Sequence, residues 1–279
     1  MSETMQIGSK TIGKDGHVFI VAEVGINHNG SMDIARRLLD EAKNCGADAV
    51  KLQTYLTEKR VAKNSPIFNI LKECEISFKN QELLFNHARA MDLEIFSTPF
   101  DSESVEFLNS INCSCYKIAS FDIVNEQLLK TIASYKRPVI ISRGMAKKDE
   151  IDHAVSIFNK QNPLALLHCI SAYPVHSIND LNLRTINALK NQYNCIVGFS
   201  DHSIGIEASS YAVAAGAQII EKHFTLSNTM EGPDHTLSLD INNFSKMVKE
   251  IRRVSGMLGV EVWASIPAEK DILQYRRKS

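Results

Sequence analysis

The sequence predicts a single α/β domain with the (β/α)8 TIM-barrel fold. Eight short apolar runs, mostly β-branched, alternate with amphipathic stretches of helical spacing. Near-continuous apolar runs are typical of strands that are covered on both faces of a parallel sheet. The 279 residues also fit one barrel of roughly 250 residues. A doubly wound open sheet is the alternative architecture.

The elements follow one another in regular order. The predicted strands are 18–22, 49–52, 94–96, 116–118, 138–141, 164–167, 196–199 and 218–220. Ser31 is suited to cap the first helix and Gly46 to end it. Further helices are predicted over 80–91, 101–110, 124–134, 147–159, 180–191, 205–215 and 241–258. We expect residues 1–17 to form a lead-in segment, 18–259 the barrel, and 260–279 a C-terminal arm or the start of a linker.

Composition excludes several classes of protein. Hydrophobic residues make up 44% of the chain, so a sizeable core can form, and the net charge of −1 argues against non-specific binding to nucleic acid or membrane surfaces. No window reaches the roughly 18 consecutive apolar residues of a spanning helix, and the polar N-terminus lacks an apolar signal core. We therefore expect a cytoplasmic protein. The six cysteines form no CxxC pair, which favours buried reduced thiols.

Polar residues follow every predicted strand, and in barrels of this type the carboxyl ends of the strands carry the active site. Lys51 and Lys117 lie within apolar strands, where a buried ammonium needs an anionic partner. They are therefore candidates for binding a phosphate or carboxylate. A structural ion pair with Glu23 or Glu221 and a Schiff-base lysine are the alternatives. The hydroxyl residues that could complete an anion cradle are Thr98, Ser120, Ser142 and Ser200.

His202 and His223 end the last two predicted strands, 21 residues apart. Adjacent strand ends lie about 5 Å apart, close enough for both imidazoles to share one metal. Neutral imidazole suits Mn²⁺ or Zn²⁺, and only two protein ligands would leave positions open to water and substrate. The alternative is a pair of histidines that only make hydrogen bonds.

These motifs together resemble the sialic acid synthase (N-acetylneuraminate synthase) family of bacterial nonulosonate synthases. The resemblance covers nearly the whole chain in the right order. The matching blocks are AEVGINHNGS at 22–31, GADAVKLQTY at 46–55, FSTPFD at 96–101, YKIAS at 116–120, HCISAYP at 168–174, GFSDHSIG at 198–205, IEKHFT at 220–225 and EGPDH at 231–235.

The resemblance implies a reaction. The family condenses phosphoenolpyruvate with an open-chain N-acetylated amino sugar and water, and releases phosphate and a nine-carbon 2-keto-3-deoxy acid. It implies that His202 and His223 bind a divalent metal, usually Mn²⁺, and that Glu23 is a candidate base. The residues implied to hold phosphoenolpyruvate are Lys51, Thr98, Lys117, Ser120, Ser142, Ser171 and Ser200. Gln53, Tyr173 and Asp234 match positions that face the sugar, and a homodimer is expected.

The sequence also departs from the family's usual pattern. Phe121 and Asp122 stand where many relatives have Gly and Glu. A Ser-Phe-Glu version at this place resembles pseudaminic acid synthases. The resemblance implies a catalytic carboxylate at Asp122, which is one methylene shorter than Glu. Other blocks resemble the sialic and legionaminic branches, so the amino sugar stays open. Arg143 replaces a Thr and adds a cation near the mouth. Many relatives carry a further C-terminal antifreeze-like domain, and the resemblance described here covers only the barrel that precedes it. A Schiff-base aldolase and a non-catalytic scaffold are the remaining hypotheses.

Overall fold

The computed structural model describes residues 4–13, 17–158 and 162–277. The first described elements are the antiparallel strands β1 (Met5–Ile7) and β2 (Lys10–Ile12), whose inward side chains are buried in the main core. Ser9 in their turn donates a backbone hydrogen bond to the Glu94 carboxylate, at the amino end of a barrel strand. The hairpin thus lies at the end of the barrel opposite the carboxyl ends of the strands.

Eight parallel strands in the described part of the chain close into a barrel, which confirms the predicted fold and excludes the open sheet. The strands are β3 (Phe19–Gly25), β4 (Ala49–Thr54), β5 (Glu94–Pro99), β6 (Tyr116–Ile118), β7 (Val139–Ser142), β8 (Leu164–Cys169), β9 (Ile196–Asp201) and β10 (Ile219–His223). Strand β10 closes the barrel by pairing with both β9 and β3. This register sets His223 opposite Glu23, and Glu23 opposite Lys51 on β4.

Helices follow the strands and cover the outside of the barrel. They are α1 (Met32–Asn44), α2 (Thr57–Arg60), α3 (Phe68–Cys74), α4 (Phe78–Ala90), α5 (Ser102–Ser110), α6 (Glu126–Ser134), α7 (Lys148–Phe158), α8 (Arg184–Tyr193), α9 (Glu207–Ala214) and α10 (Ile241–Leu258). The Ser31 hydroxyl accepts a hydrogen bond from the Ile34 amide and caps α1, as predicted. None of the helices in the described ranges is long and apolar enough to cross a membrane.

The start of one helix was predicted wrongly, and two short helices were missed. The helix predicted from residue 180 begins at Arg184, because residues 178–180 form a 3-10 turn in which the Ser177 hydroxyl accepts a hydrogen bond from Asn179. The short helices α2 and α3 were not predicted, since four and seven residues carry too little periodicity.

After α10 the chain continues to residue 277 with two short 3-10 turns and largely exposed side chains. The division into lead-in segment, barrel and arm stays a prediction. Positions 1–3, 14–16 and 278–279 of the predicted end segments lie outside the described residues, as does the last position of the helix predicted over 147–159. All six cysteines are free and buried, in line with reduced thiols.

Candidate active site

A cavity opens at the carboxyl ends of the barrel strands and encloses about 970 Å³, including its opening to solvent. Without the open solvent its interior holds about 260 Å³, just below the roughly 300 Å³ at which sites for drug-sized ligands begin, so it suits a small ligand. Twelve of the sequence-predicted site residues line it: Glu23, Lys51, Gln53, Thr98, Lys117, Ser120, Ser142, Tyr173, Ser200, His202, His223 and Asp234. Asp122 and Ser171 are not among the lining residues.

Strand alternation explains why these side chains meet. Successive side chains of a strand point to opposite faces, so residues two apart share a face. Glu221 and His223 of β10 both line the cavity, whereas Lys222 between them is fully buried against Asp201 at 3.0 Å. The same spacing brings Lys51 and Gln53 of β4 into the cavity.

The floor of the cavity is a network of two lysines and two glutamates. Lys51 Nζ lies 2.9 Å from Glu23 Oε2 and 3.6 Å from Glu221 Oε2, and Lys117 Nζ lies 3.6 Å from Glu221 Oε1. All four side chains are at most 6% exposed. The ion pairs considered as an alternative from the sequence are therefore present, and both lysines still face the cavity.

Hydroxyl groups complete the floor. Lys51 donates a hydrogen bond to Thr98 Oγ1 at 3.1 Å, and Lys117 donates one to Ser142 Oγ at 2.7 Å. Ser200 Oγ donates to Glu221 Oε1 at 2.8 Å. Cations and hydroxyls that converge on one pocket are suited to bind a phosphate or a carboxylate.

Burial and ion pairing shift the pKa values of the two glutamates in opposite directions. Burial raises the pKa of Glu23, and the attraction of Lys51 offsets only part of that rise. Burial would also raise the pKa of Glu221, but Lys117 and Lys51 together hold it below its usual range. Glu221 is therefore the ionised partner of the lysines, while Glu23 is the carboxyl that gains or loses a proton most readily near neutral pH.

The imidazoles of His202 and His223 lie beside this floor, with ring centroids 5.5 Å apart. Burial lowers the pKa of His202 to about 4, with a smaller effect from His223. Burial and then the charge of Lys51 lower the pKa of His223 to about 3. Both rings are therefore neutral at physiological pH, the state in which imidazole binds metals.

The hydrogen bonds of the two rings fit a metal. His202 Nδ1 lies 2.8 Å from the Ile170 carbonyl, which can only accept, so Nδ1 carries the proton and Nε2 keeps a lone pair. His223 Nδ1 is buried without a hydrogen-bond partner in the described residues, 3.9 Å from Asp234 Oδ2. No three His, Cys, Asp or Glu side chains of the described ranges are gathered as a metal cluster. A bound ion would thus depend on two imidazoles and on water or substrate oxygen.

Ser171 and Ser120 lie together beside a close-packed glycine. A Cβ atom on Gly144 would lie 2.4 Å from Ser171 Oγ, 2.7 Å from Cys169 Sγ and 2.8 Å from Ser120 Oγ. The backbone of Gly144 thus lies against all three groups. Ser171 Oγ is buried with no hydrogen-bond partner in the described part of the chain.

The outer half of the cavity holds the residues predicted to face a sugar. The ring of Tyr173 lies 4.2 Å from that of His202. Gln53 Nε2 donates to Glu23 Oε1 at 3.4 Å, and its amide oxygen accepts a hydrogen bond from Arg60 at 2.9 Å. Asp122, outside the lining, accepts a hydrogen bond from Asn125 at 3.4 Å.

Sequence reasoning missed Arg60 as a site residue and considered Glu221 only as an ion-pair partner. Arg60 lies in a charged stretch after β4 that is typical of a solvated loop, so no local signal marked it. Glu221 shares the face of His223, and that spacing was the available signal. Arg143 lines no part of the cavity: Nη2 donates to His168 Nδ1 at 2.9 Å.

A parallel barrel whose mouth combines an anion-binding floor with two neutral imidazoles has the organisation of a small-molecule enzyme. The chain belongs to the NeuB family, which residues 38–262 match. It is 40% identical to a sialic acid synthetase from Leptospira borgpetersenii, solved in complex with citrate, with a TM-score of 0.94 over 99% of this chain and 97% of that one.

Two relatives from Campylobacter jejuni have similar identity. An N,N'-diacetyllegionaminic acid synthase is 35% identical over 278 residues, covering 93% of this chain and 83% of the relative. A pseudaminic acid synthase is 37% identical over 271 residues, covering 91% and 78%. The family and the synthase character expected from the sequence are confirmed.

Proposed function

We propose that the protein is a nonulosonate synthase that condenses phosphoenolpyruvate with an N-acetylated amino sugar and water, giving a nine-carbon 2-keto-3-deoxy acid and phosphate. One observation carries the proposal: the cavity is ordered by depth, with Lys51, Lys117 and their hydroxyl partners on a buried floor and Tyr173 and Asp234 nearer the opening. A small anion with a phosphate and a carboxylate fits the floor, and a polyhydroxylated acceptor fits the outer half.

Lys51 and Lys117 would hold the phosphate and carboxylate of phosphoenolpyruvate. Because Glu221 neutralises part of their charge, a bound anion has to share the lysines with it. The hydroxyls of Thr98, Ser142 and Ser200 are positioned to donate to that anion after rotation. Such charge-assisted hydrogen bonds fix the orientation of a planar substrate as well as its affinity.

The bond changes balance without a further reactant. C3 of phosphoenolpyruvate attacks the aldehyde carbon of the open-chain sugar, and the aldehyde oxygen becomes a hydroxyl by taking up one of the two protons of the attacking water. Water adds to the resulting cation at C2, and Glu23 is the base that accepts its proton. The tetrahedral intermediate then loses phosphate by C–O cleavage and leaves the C2 ketone. The raised pKa of Glu23 supports this role, since a base near neutrality accepts and returns a proton readily.

We propose that His202 and His223 hold the divalent metal, and that this metal is Mn²⁺. The lone pair of His202 Nε2 and the unpartnered Nδ1 of His223 support the assignment. When bound, such an ion supplies Lewis-acid polarisation of the aldehyde oxygen.

The test combines the purified chain with Mn²⁺, phosphoenolpyruvate and each candidate amino sugar in turn. Phosphate release is followed together with mass spectrometry of the product. We expect release that requires a sugar and yields a nine-carbon acid. An absence of product with every sugar, while Mn²⁺ and phosphoenolpyruvate both bind, would contradict the proposal. The variant His223→Ala removes one proposed metal ligand. Its control is His87→Ala, which changes a partly exposed histidine that pairs with Asp40.

A Schiff-base aldolase remains the second candidate because burial lowers the pKa of Lys117, as a nucleophilic amine requires. The close Ser142 and Glu221 partners argue for an ammonium instead. Borohydride treatment in the presence of pyruvate distinguishes the two: an adduct on Lys117 would support the aldolase, and its absence supports the synthase.

We also propose where the protein acts and how many chains it assembles from. Because the substrates are water-soluble metabolites, we propose that the protein acts in the cytoplasm. We also propose a homodimer, which the family resemblance implies. Light scattering on the purified chain tests this: a mass of two chains supports it, and a mass of one chain at micromolar concentration contradicts it.

A further inference from the structure

The outer half of the cavity has an apolar wall next to its polar groups. Ile67 and Ile70 on and before α3 are 46% and 42% exposed, and Phe121 is 63% exposed, yet all three line the cavity. Leu71 and Phe100 continue the same wall. Large apolar side chains left open at the mouth of a site gain stability when a ligand covers them. The wall therefore fits a ligand with an apolar side.

Arg60 interrupts this wall with a fixed cation. Its guanidinium carbon lies 3.6 Å from the centroid of the Phe100 ring and 4.6 Å from that of Tyr55. Two aromatic faces hold the guanidinium plane, and cation–π attraction adds to the packing. Within the described ranges, Gln53 Oε1 is the only group to which Arg60 donates a hydrogen bond. The other N–H donors are available to a ligand in the cavity.

The charges around Arg60 disfavour a second anion. The carboxylates of Asp122 and Asp234 attract the guanidinium, and so does the deeper Glu23. One cation among these acids leaves the outer half without surplus positive charge. A phosphorylated acceptor would meet Asp234 of the cavity lining with like charge, whereas an uncharged carbonyl or hydroxyl oxygen can accept from Arg60 at no such cost.

We propose that Arg60 and the apolar wall form the subsite that selects the acceptor sugar. This rests on the proposed synthase function. Arg60 donates hydrogen bonds to an acylamino carbonyl oxygen of the sugar, and Ile67, Ile70 and Phe121 cover a deoxygenated C6. The preferred acceptor is an unphosphorylated 6-deoxyhexose with two acylamino groups, ahead of N-acetylmannosamine and of its 6-phosphate.

The first experiment compares these three acceptors at saturating phosphoenolpyruvate. We expect kcat/KM for the deoxy sugar to exceed that for N-acetylmannosamine by about 10- to 100-fold, the range that apolar pockets achieve. The 6-phosphate should be a poorer substrate still. Equal or better use of N-acetylmannosamine or its phosphate would overturn the subsite and leave the synthase function standing. Failure of all three would instead remove the synthase function, and the subsite with it.

The second experiment tests Arg60 directly. Arg60→Met keeps the length of the side chain and should raise the KM for the acceptor about 10- to 100-fold, the effect of losing a charged hydrogen bond. The KM for phosphoenolpyruvate should stay unchanged. Lys59→Met is the matched control, because Lys59 pairs with Glu103 at 3.1 Å outside this cavity. An unchanged acceptor KM in Arg60→Met, or equal rises in both KM values, would overturn the assignment.

Two further variants distinguish a loss of binding from a folding defect: one changes the shape of the Arg60 cation, and the other changes the apolar wall. Arg60→Lys keeps the charge but loses the planar fork, so its acceptor KM should lie between those of the parent and Arg60→Met. Phe121→Ser should reduce the preference for the deoxy sugar, while Val124→Ser, at a nearby exposed position outside the lining, should not. An undiminished preference in Phe121→Ser would contradict the role of the wall.

Discussion

The imidazole of His202, directly after β9, lies 5.5 Å from that of His223 at the end of β10, measured between ring centroids, and burial keeps both neutral. This relationship follows from the closing register of the barrel, which pairs β10 with β9 on one side and with β3 on the other. The same register places the buried lysine and glutamate floor next to the rings. The proposed chemistry depends on this arrangement.

Removal of one imidazole tests the metal proposal. His223→Ala should weaken Mn²⁺ binding and turnover by more than about 100-fold, since a site with two protein ligands loses half of them. Calorimetry with Mn²⁺ alone measures binding, and phosphate release measures turnover. A chelator should abolish the activity of the parent chain, and added Mn²⁺ should restore it. Wild-type affinity for Mn²⁺ in His223→Ala would contradict the assignment.

Lys117→Met tests the anion floor. The variant should raise the KM for phosphoenolpyruvate by about 100-fold, because a buried charged hydrogen bond is lost and Glu221 keeps only Lys51 as a cation. Initial rates at varied phosphoenolpyruvate give this value. Lys190→Met, on the exposed side of α8, is the control. A change confined to the KM for the sugar would argue against the floor as the phosphoenolpyruvate site.

Gly144→Ala tests the close packing at the Ser120 and Ser171 hydroxyls. The added methyl group would overlap both hydroxyls and Cys169, so we expect a loss of about 1–3 kcal/mol in the free energy of unfolding. The KM for phosphoenolpyruvate should rise as the hydroxyls shift. Gly256→Ala in α10 has open space and should instead gain about 0.5–1 kcal/mol. Urea unfolding compares the two, and equal effects would contradict the argument.

The stability of the fold should fall in mild acid. His168 Nε2 donates to the Leu181 carbonyl and Nδ1 accepts from Arg143, so the neutral ring is satisfied on both sides. Burial lowers its pKa to about 4. The unfolded chain therefore takes up the proton first, and stability present above pH 6.5 is lost as the pH falls towards 4.

The loss assigned to His168 is at most about 3 kcal/mol. Urea unfolding between pH 7 and pH 4 measures it. His168→Gln should flatten the pH dependence in part, because burial also lowers the pKa values of His28, His202 and His223, which contribute as well. His153→Gln, on an exposed helix face, should leave the slope unchanged. An identical slope in parent and His168→Gln would refute this explanation.

Strand positions could be predicted from the sequence because each barrel strand is a compact apolar run, and the polar residues that follow each run marked the mouth. Lys51 and Lys117 stood out as charges within such runs. Arg60 did not, because its place between Phe100 and Tyr55 depends on α2 folding back over the barrel mouth. The role of Asp122 stays a prediction: it shares a 3-10 turn with Ser120 and Phe121 but, unlike them, lines no part of the cavity.

The central claim is that carbon–carbon bond formation from phosphoenolpyruvate is coupled to water attack at C2. The most direct measurement runs the reaction in ¹⁸O-labelled water and analyses both products by mass spectrometry. We expect phosphate and a nine-carbon acid in equal amounts, with the phosphate unlabelled, because C–O cleavage keeps the original bridging oxygen on phosphorus. Labelled phosphate, or phosphate released without a nine-carbon acid, would contradict it.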